Sequence, residues 1–306
     1  MTSIQEFKDY VASVQNREGY QKPTAFGLGI RKTKGDKTLE VFFPLINFET
    51  AYGTAALLQD ITGYSSTENG FTVINKGHLQ IAFDKFAAFH EEIEDHPNIK
   101  IIHQLLTQYK YPKGYATLDL IAYFLFDKDT AVANPEEGYF KTQCLSQLHV
   151  KPHEIGVAGI FGKMNNIAWT NKGPILPEDL PEERLKATFK GEELVVSHVD
   201  KFPYMVNFHV PQGVRIVSGS KVRLGAHLSS GTTVMPAGFI NFNAGTLGKA
   251  MVEGRISAGV IVDDKSDIGG GASIMGTLSG GNKNVCLLYT SPSPRDQRGS
   301  RMPSSA

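Results

Sequence analysis

Glu253 and Arg255 stand two residues apart in Met251-Val252-Glu253-Gly254-Arg255. On a strand, that spacing points both side chains to the same side. There a carboxylate would remove a proton from an amine, and an arginine would hold an acid group. The same spacing also suits a solvated surface pair, and residue type alone leaves both readings open. Gly269-Gly270-Gly271-Ala272-Ser273 and Gly276-Thr277-Leu278-Ser279-Gly280-Gly281 are glycine-rich. A ligand could lie against their exposed backbone amides, although glycine is also what a tight corner needs. Neither run carries the Gly-Lys-Ser/Thr ending of a phosphate loop. Asn241, Asn243 and Thr246 read equally as ligand contacts and as corner hydrogen bonders. His149 and His153 have metal-like spacing, but Pro152 interrupts the helix that would align them and no third ligand is in view. His209 and His227 do not complete a three-histidine zinc centre, so no bound metal is expected. Trp169 reads as a packing residue.

A six-residue repeat must position these groups. Val210, Ile216, Val222, Leu228, Val234 and Ile240 share one phase, and Gly213, Gly219, Gly225, Gly231, Ala237 and Asn243 follow each by three. A hexapeptide period marks a parallel β-helix. In the left-handed form each hexapeptide is one flat side of a triangular coil, with the aliphatic inside and the small residue near the corner. Each buried aliphatic contributes about 1.5–3 kcal/mol, so the column supplies its own core. The beat weakens through Thr246, Val252 and Ala258, then changes phase to Val262, Ile268 and Ile274. Irregular backbone on a rigid scaffold is where sites tend to be built. With Val252 inward, Glu253 and Arg255 are expected on the outer face.

Ahead of the repeat the pattern is mixed. Ser3 and Glu6 form a capping box before Phe7, Val11 and Val14 at helical spacing. Gly27–Ile30, Leu39–Pro44, Phe71–Ile74 and Leu118–Phe126 read as strands. Leu79, Phe83, Phe86, His90 and Ile93 mark one face of a long helix ended by Pro97, and Ile101 to Tyr109 suggests another. Asn134-Pro135-Glu136-Glu137 is a helix start with a cap, a first-position proline and acids in the first turn. Phe140, Cys144, Leu145 and Leu148 then face inward, with Pro152 as the stop. Gly173 to Pro181 reads as a linker or extended arm, and Leu194–Val196 and Tyr204–Val206 as strands. The expected fold is an α/β N-terminal region followed by an all-β left-handed parallel β-helix.

The 306 residues carry 31 basic and 31 acidic side chains, so the broad positive footprint of a nucleic-acid binder is missing. No apolar run reaches the roughly 18 residues of a membrane helix, and the start resembles no signal peptide. Neither a membrane nor a nucleic-acid partner is expected. Cys286 to Asp296 and Ser300 to Ala306 resemble the in-frame translation of a sequencing-library adapter. On that reading the chain is truncated inside its repeat and Cys144 is the only native cysteine, which fits a reducing cytoplasm.

Several stretches resemble one family. They are Val222 to Leu228, Gly231 to Met235, Asn241 to Gly248, Met251 to Gly259 and Asp267 to Gly281, with support from Gly27 to Tyr64 and Gly159 to Pro174. The family is tetrahydrodipicolinate N-succinyltransferase in its longer form. The resemblance implies a homotrimer of left-handed β-helices with active sites between neighbours. It implies succinyl transfer from succinyl-coenzyme A to the amino group of ring-opened tetrahydrodipicolinate, on the diaminopimelate route to lysine. By motif, Glu253 is the catalytic carboxylate, as general base or as transiently acylated group. Arg255, Gly270 and Ser273 match succinyl-coenzyme A contacts. Some relatives hold magnesium at the trimer axis through an acidic pair, but the matching positions here are Ser220 and Ala237, so that metal is not carried over. The expected organisation is an N-terminal α/β domain at 1–108, a middle domain and linker at 109–205, an incomplete β-helix acyltransferase domain at 206–285 and an adapter-derived tail at 286–306. Two other readings stand beside it: a β-helix acyltransferase using acetyl-coenzyme A, and an inactive fragment that only binds or assembles.

Overall fold

A computed structural model of the chain describes residues 3–108, 110, 114–276 and 287–288. Apart from Leu287 and Leu288, the expected tail lies outside the described residues. The chain divides into two compact units. One comprises Met1–Phe140 and Ala158–Lys201, the other Lys141–Val157 and the chain from Phe202 onward.

The first unit is built on a four-stranded antiparallel sheet. Its strands are β1 (Ala25–Lys34), β2 (Lys37–Phe48), β3 (Gly70–Ile74) and β4 (Thr117–Leu125), in the order β2-β1-β4-β3. Helices α1 (Ile4–Gln15), α2 (Tyr52–Thr62), α3 (Lys76–Lys85) and α4 (Pro97–Gln108) supply the rest of its core. That core joins Phe7, Leu57, Leu58, Leu79 and Ile102 to Phe26, Leu120 and Phe124 from the sheet. Ser3 caps α1 through the amide of Glu6 at 3.2 Å, as its capping box requires. The single long helix expected over 79–93 is two pieces, α3 and a 3-10 segment at Ala87–Asp95. Helix α2 had no sequence signal, because its start uses Ala51 in the left-handed region with no side-chain cap.

Helix α5 (Pro135–Ser146) begins where Asn134 accepts the amide of Glu137 at 2.8 Å. It ends at Ser146, well before Pro152, and Leu148 is 39% exposed at a φ of 64° rather than inward-facing. After the short α6 (Ile160–Lys163) comes a second sheet of β5 (Ile167–Thr170), β6 (Gly173–Ile175) and β7 (Val196–Asp200), with α7 (Leu180–Phe189) between β6 and β7. Gly173 to Pro181 is therefore structured, not a linker. Its prolines cost nothing, because Pro177 and Pro181 sit in the first turn of a helix, where no amide bond is lost. Trp169 is a packing residue, with its indole N–H donated to the Asp200 carbonyl at 3.0 Å.

In the second unit the chain winds into a parallel solenoid of two-residue strands. These are β8 (Arg215–Ile216), β9 (His227–Leu228), β10 (Thr233–Val234), β11 (Phe239–Ile240), β12 (Gly245–Thr246), β13 (Met251–Val252), β14 (Arg255–Ile256), β15 (Ile261–Val262), β16 (Ser273–Ile274) and β17 (Leu287–Leu288). Three inward columns run up the prism. Ile216, Val234, Val252 and Ile268 form one; Val222, Ile240, Ile256 and Ile274 the second; Leu228, Thr246 and Val262 the third. The expected pattern is corrected at three places, two in the beat and one in the strand expected ahead of it. Val210 is 57% exposed and lies before the prism. Tyr204–Val206 is no strand, because residues 205–207 form a 3-10 turn. Ala258 is not an inward position, since Ile256 takes that place beside Ile240.

The segment Lys141–Val157 packs on the first coil of this unit. Gly225, at a φ of 94°, donates its amide to the Ser146 hydroxyl at 2.8 Å. A Cβ at Gly225 would lie 3.0 Å from both Phe242 and Thr142, so only glycine fits there. His227 is buried, with Nδ1 3.0 Å from the Val150 carbonyl, and its desolvation lowers its pKa.

Candidate active site

The corners of the solenoid decide where the candidate residues go. Most corners place five residues between one inward position and the next, as in Met235 to Phe239, Asn241 to Gly245 and Gly269 to Ser273. Several of them close on themselves through a turn hydrogen bond. Gly238 donates to the Met235 carbonyl at 2.9 Å and Ala272 to the Gly269 carbonyl at 3.0 Å. Between Val252 and Ile256 only Glu253, Gly254 and Arg255 remain. This short corner is the source of the phase change.

Met235 and Phe239 of the regular corner already donate to the next coil, at Val252 and Gly254; with too few residues left for a turn, the middle amide of the short corner, Gly254, does so as well. Glu253 and Gly254 both donate to the Ile268 carbonyl, at 2.8 and 3.0 Å, and Arg255 donates to the Ala272 carbonyl at 2.8 Å. The coils are pressed together at Gly254. A Cβ on it would lie 2.5 Å from the Ala272 carbonyl oxygen and 2.7 Å from that of Gly269. Glu253 is thus a corner residue, and only Arg255 belongs to a strand, which corrects the picture of both on one strand. Their outward placement stands: Glu253 is half-buried and Arg255 exposed.

The stacking brings the four candidates together in two pairs. A Cβ at Gly270 would meet Glu253 Oε2 at 3.5 Å, so the carboxylate rests over the bare backbone of the glycine-rich corner. Arg255 is the register partner of Ser273 in the parallel ladder, so both present outward on one face. Phe239 is the partner of Arg255 on its other side. No ion pair holds Glu253 or Arg255 among the described residues. The site therefore offers a proton acceptor on a floor without side chains, one register step from a cation beside a hydroxyl. Such a site can deprotonate a nucleophile and hold an anionic acyl group or its carrier. The second glycine-rich run lies outside the described residues beyond Gly276.

The remaining candidates are structural. Asn241 Oδ1 accepts the Phe242 amide at 2.9 Å and the Arg223 guanidinium at 3.1 Å. Asn243, at a φ of 49°, accepts the His153 amide at 3.1 Å. Thr246 points into the prism, with its hydroxyl 2.6 Å from that of Thr232. His153 Nε2 lies 2.8 Å from the Gly259 carbonyl, and burial pushes the pKa values of His149 and His209 down. No group of three or more metal-ligating side chains occurs among the described residues. Gly254 escaped the sequence reading, although counting back six from Val262 to Ile256 would have exposed the short corner.

Residues 5–162 match the family model described as tetrahydrodipicolinate N-succinyltransferase N-terminal, and residues 164–204 match that described as its middle region. A 2,3,4,5-tetrahydropyridine-2,6-dicarboxylate N-succinyltransferase of Vibrio cholerae is 46% identical over 270 residues, covering 86% of this chain and 74% of its own. The enzyme of that name from Pseudomonas putida is 41% identical over 265 residues, covering 85% and 71%. A Campylobacter jejuni crystal structure, described as a candidate 2,3,4,5-tetrahydropyridine-2-carboxylate N-succinyltransferase, superposes with a TM-score of 0.84 at 33% identity, covering 93% of this chain and 76% of that one. The α/β region followed by a left-handed parallel β-helix is the architecture these chains share.

Proposed function

The chain belongs to the tetrahydrodipicolinate N-succinyltransferase family, and from that premise we propose how its outer face works. The reaction is transfer of a succinyl group from succinyl-coenzyme A to the amino group of ring-opened tetrahydrodipicolinate, a step of diaminopimelate and lysine biosynthesis. Glu253 acts as general base. It takes the proton from the acceptor amine as the nitrogen attacks the thioester carbonyl, then returns that proton to the sulfur as the carbon–sulfur bond breaks, so coenzyme A leaves as the thiol. Arg255 and Ser273 hold the donor, and the Gly270 backbone lets the thioester come close to the carboxylate. The observation that carries this reading is the pairing of Glu253 with Gly270 and of Arg255 with Ser273 across one coil boundary.

The reading assigns succinyl-coenzyme A as co-substrate and no metal. It places the protein in the cytoplasm as a homotrimer, with sites completed by neighbouring subunits, and the expected domain limits of 1–108, 109–205 and 206–285 belong to the same proposal. No helix among the described residues is long and apolar enough to cross a membrane. The test is release of free thiol from succinyl- and acetyl-coenzyme A with the same acceptor, alongside sedimentation of the full chain. Acceptor-dependent release from succinyl-coenzyme A by a trimer is expected. A preference for acetyl-coenzyme A would favour the other acyltransferase reading, and a trimer without turnover the binding-only one.

A further inference from the structure

The short corner has a use that the family reaction alone does not specify. A regular corner places five residues between inward positions, and that at Met235–Phe239 closes through its own turn. Glu253-Gly254-Arg255 omits two of them, so the Gly254 amide, instead of closing a turn, joins the Glu253 ladder bond on the Ile268 carbonyl of the next coil. Two donors on the Ile268 carbonyl fix the amides on either side of the Glu253 Cα. The carbonyls of Gly269 and Ala272, at 2.7 and 2.5 Å from where a Gly254 Cβ would be, close the space around it. The following corner keeps its full length and consists largely of glycine, so it passes beneath the carboxylate without a side chain.

We infer that the two-residue deletion between Val252 and Ile256 is a positioning device. It draws Glu253 down onto the backbone of the next coil, and Gly254 is the positioning residue that permits the approach. The inference rests on the succinyltransferase reading and adds to it a reason why this coil breaks the period. A corner of normal length would replace the Gly254–Ile268 bond with a turn bond of its own and release Glu253 from Gly270. The catalytic carboxylate would then be misplaced while Arg255, fixed by the ladder to Phe239 and Ser273, stayed where it is.

The test restores the regular length. Inserting Pro-Ala between Glu253 and Gly254 copies the corner Met235-Pro236-Ala237-Gly238-Phe239, which this prism already accommodates. The full chain with that insertion is expected to melt with the parent and to keep its KM for succinyl-coenzyme A, while kcat falls about 100-fold, the usual scale for misplacing a reacting group by an ångström. Parent-like kcat in the folded insertion variant would overturn the positioning role. Should the insertion prevent folding, Gly270→Ala decides, because Gly270 lies outside the positive-φ region and its added methyl would meet only Glu253 Oε2. There kcat is expected to fall about tenfold, with the KM for succinyl-coenzyme A kept. An unchanged kcat would overturn the inference. A parent that releases no thiol above background overturns the functional reading and the inference together. A parent that turns over normally confines any failure to the inference.

Discussion

The corners Met235–Phe239 and Glu253–Arg255 occupy the same edge of the prism, one coil apart, and answer different demands. The first has five residues, closes on its own turn through Gly238 and Met235, and leads from Val234 to Ile240. The second has three, bonds its middle amide, Gly254, to the next coil where the first makes a turn, and leads from Val252 to Ile256. The inward residues at both are fully buried, so the deletion does not come out of the core. The difference teaches that the repeat sets where the walls stand, while departure from it sets where a side chain can be pressed against a neighbouring coil.

The sharpest way to break this comparison is to change the first residue of each corner. Glu253→Gln is expected to lower kcat about 1,000-fold, within the range for loss of a general base, with the melting temperature unchanged. Met235→Gln, at the regular corner, should leave turnover near the parent's. Steady-state thiol release from both variants checks the pair. Equal losses would mean that the short corner is nothing special, and near-normal turnover in Glu253→Gln would remove Glu253 from the chemistry.

The next effect is on stability, and it should be the same at both corners. Ile240→Ala and Ile256→Ala each empty a fully buried site in one column. Each should cost about 2–5 kcal/mol in denaturant unfolding. A much smaller loss at Ile256 would show that the short corner is loosely packed, contrary to the contacts around Gly254.

How much of this could be read beforehand follows from range. The columns were legible because the six-residue period is local and Val222, Leu228, Val234 and Ile240 obey it without exception. The break was displaced because Ala258 falls six after Val252 by coincidence and is small enough to pass for an inward residue, whereas Ile256 holds the place. Glu253 and Arg255 stood out by type and spacing. Their meeting with Gly270 and Ser273 is set by stacking between coils, which no local pattern encodes, and those two residues came from resemblance alone. Helix α2 was missed for a different reason: its packing decides it, and Ala51 offers no capping oxygen.

A third contrast sets the open corner at Glu253 against the covered one at His227. Desolvation lowers the pKa of His227, as it does for His149 and His209 in the same unit. The ordinary histidine value is 6.5. Between that value and the depressed folded values the unfolded chain binds more protons, so stability must fall as pH drops below about 6.5 and stay level above it on this account. Urea midpoints between pH 7.5 and 5 check the direction. His227→Asn should flatten part of the slope, and a midpoint that rises on acidification would contradict the buried neutral imidazole.

The smallest effect concerns the one polar residue that the regular columns admit. Thr246 sits inward between Leu228 and Val262, which is why the beat weakens there. Its hydroxyl meets that of Thr232 at 2.6 Å, and Thr232 also donates to the Gly248 carbonyl at 3.1 Å. With the Thr232 proton committed to that carbonyl, Thr246 must be the donor between the two hydroxyls. The two replacements are therefore unequal. Thr246→Val removes a donor and leaves Thr232 its own bond, at a cost within about 1 kcal/mol. Thr232→Val strands the Thr246 proton inside the prism and should cost about 1–3 kcal/mol. Paired denaturation curves distinguish them, and the reverse order would place the donated proton on Thr232 instead. The same logic separates this column from the short corner. Here the fold tolerates a polar group by giving it a partner inside, whereas Glu253 is placed by a missing dipeptide and its carboxylate stays at the surface for a substrate.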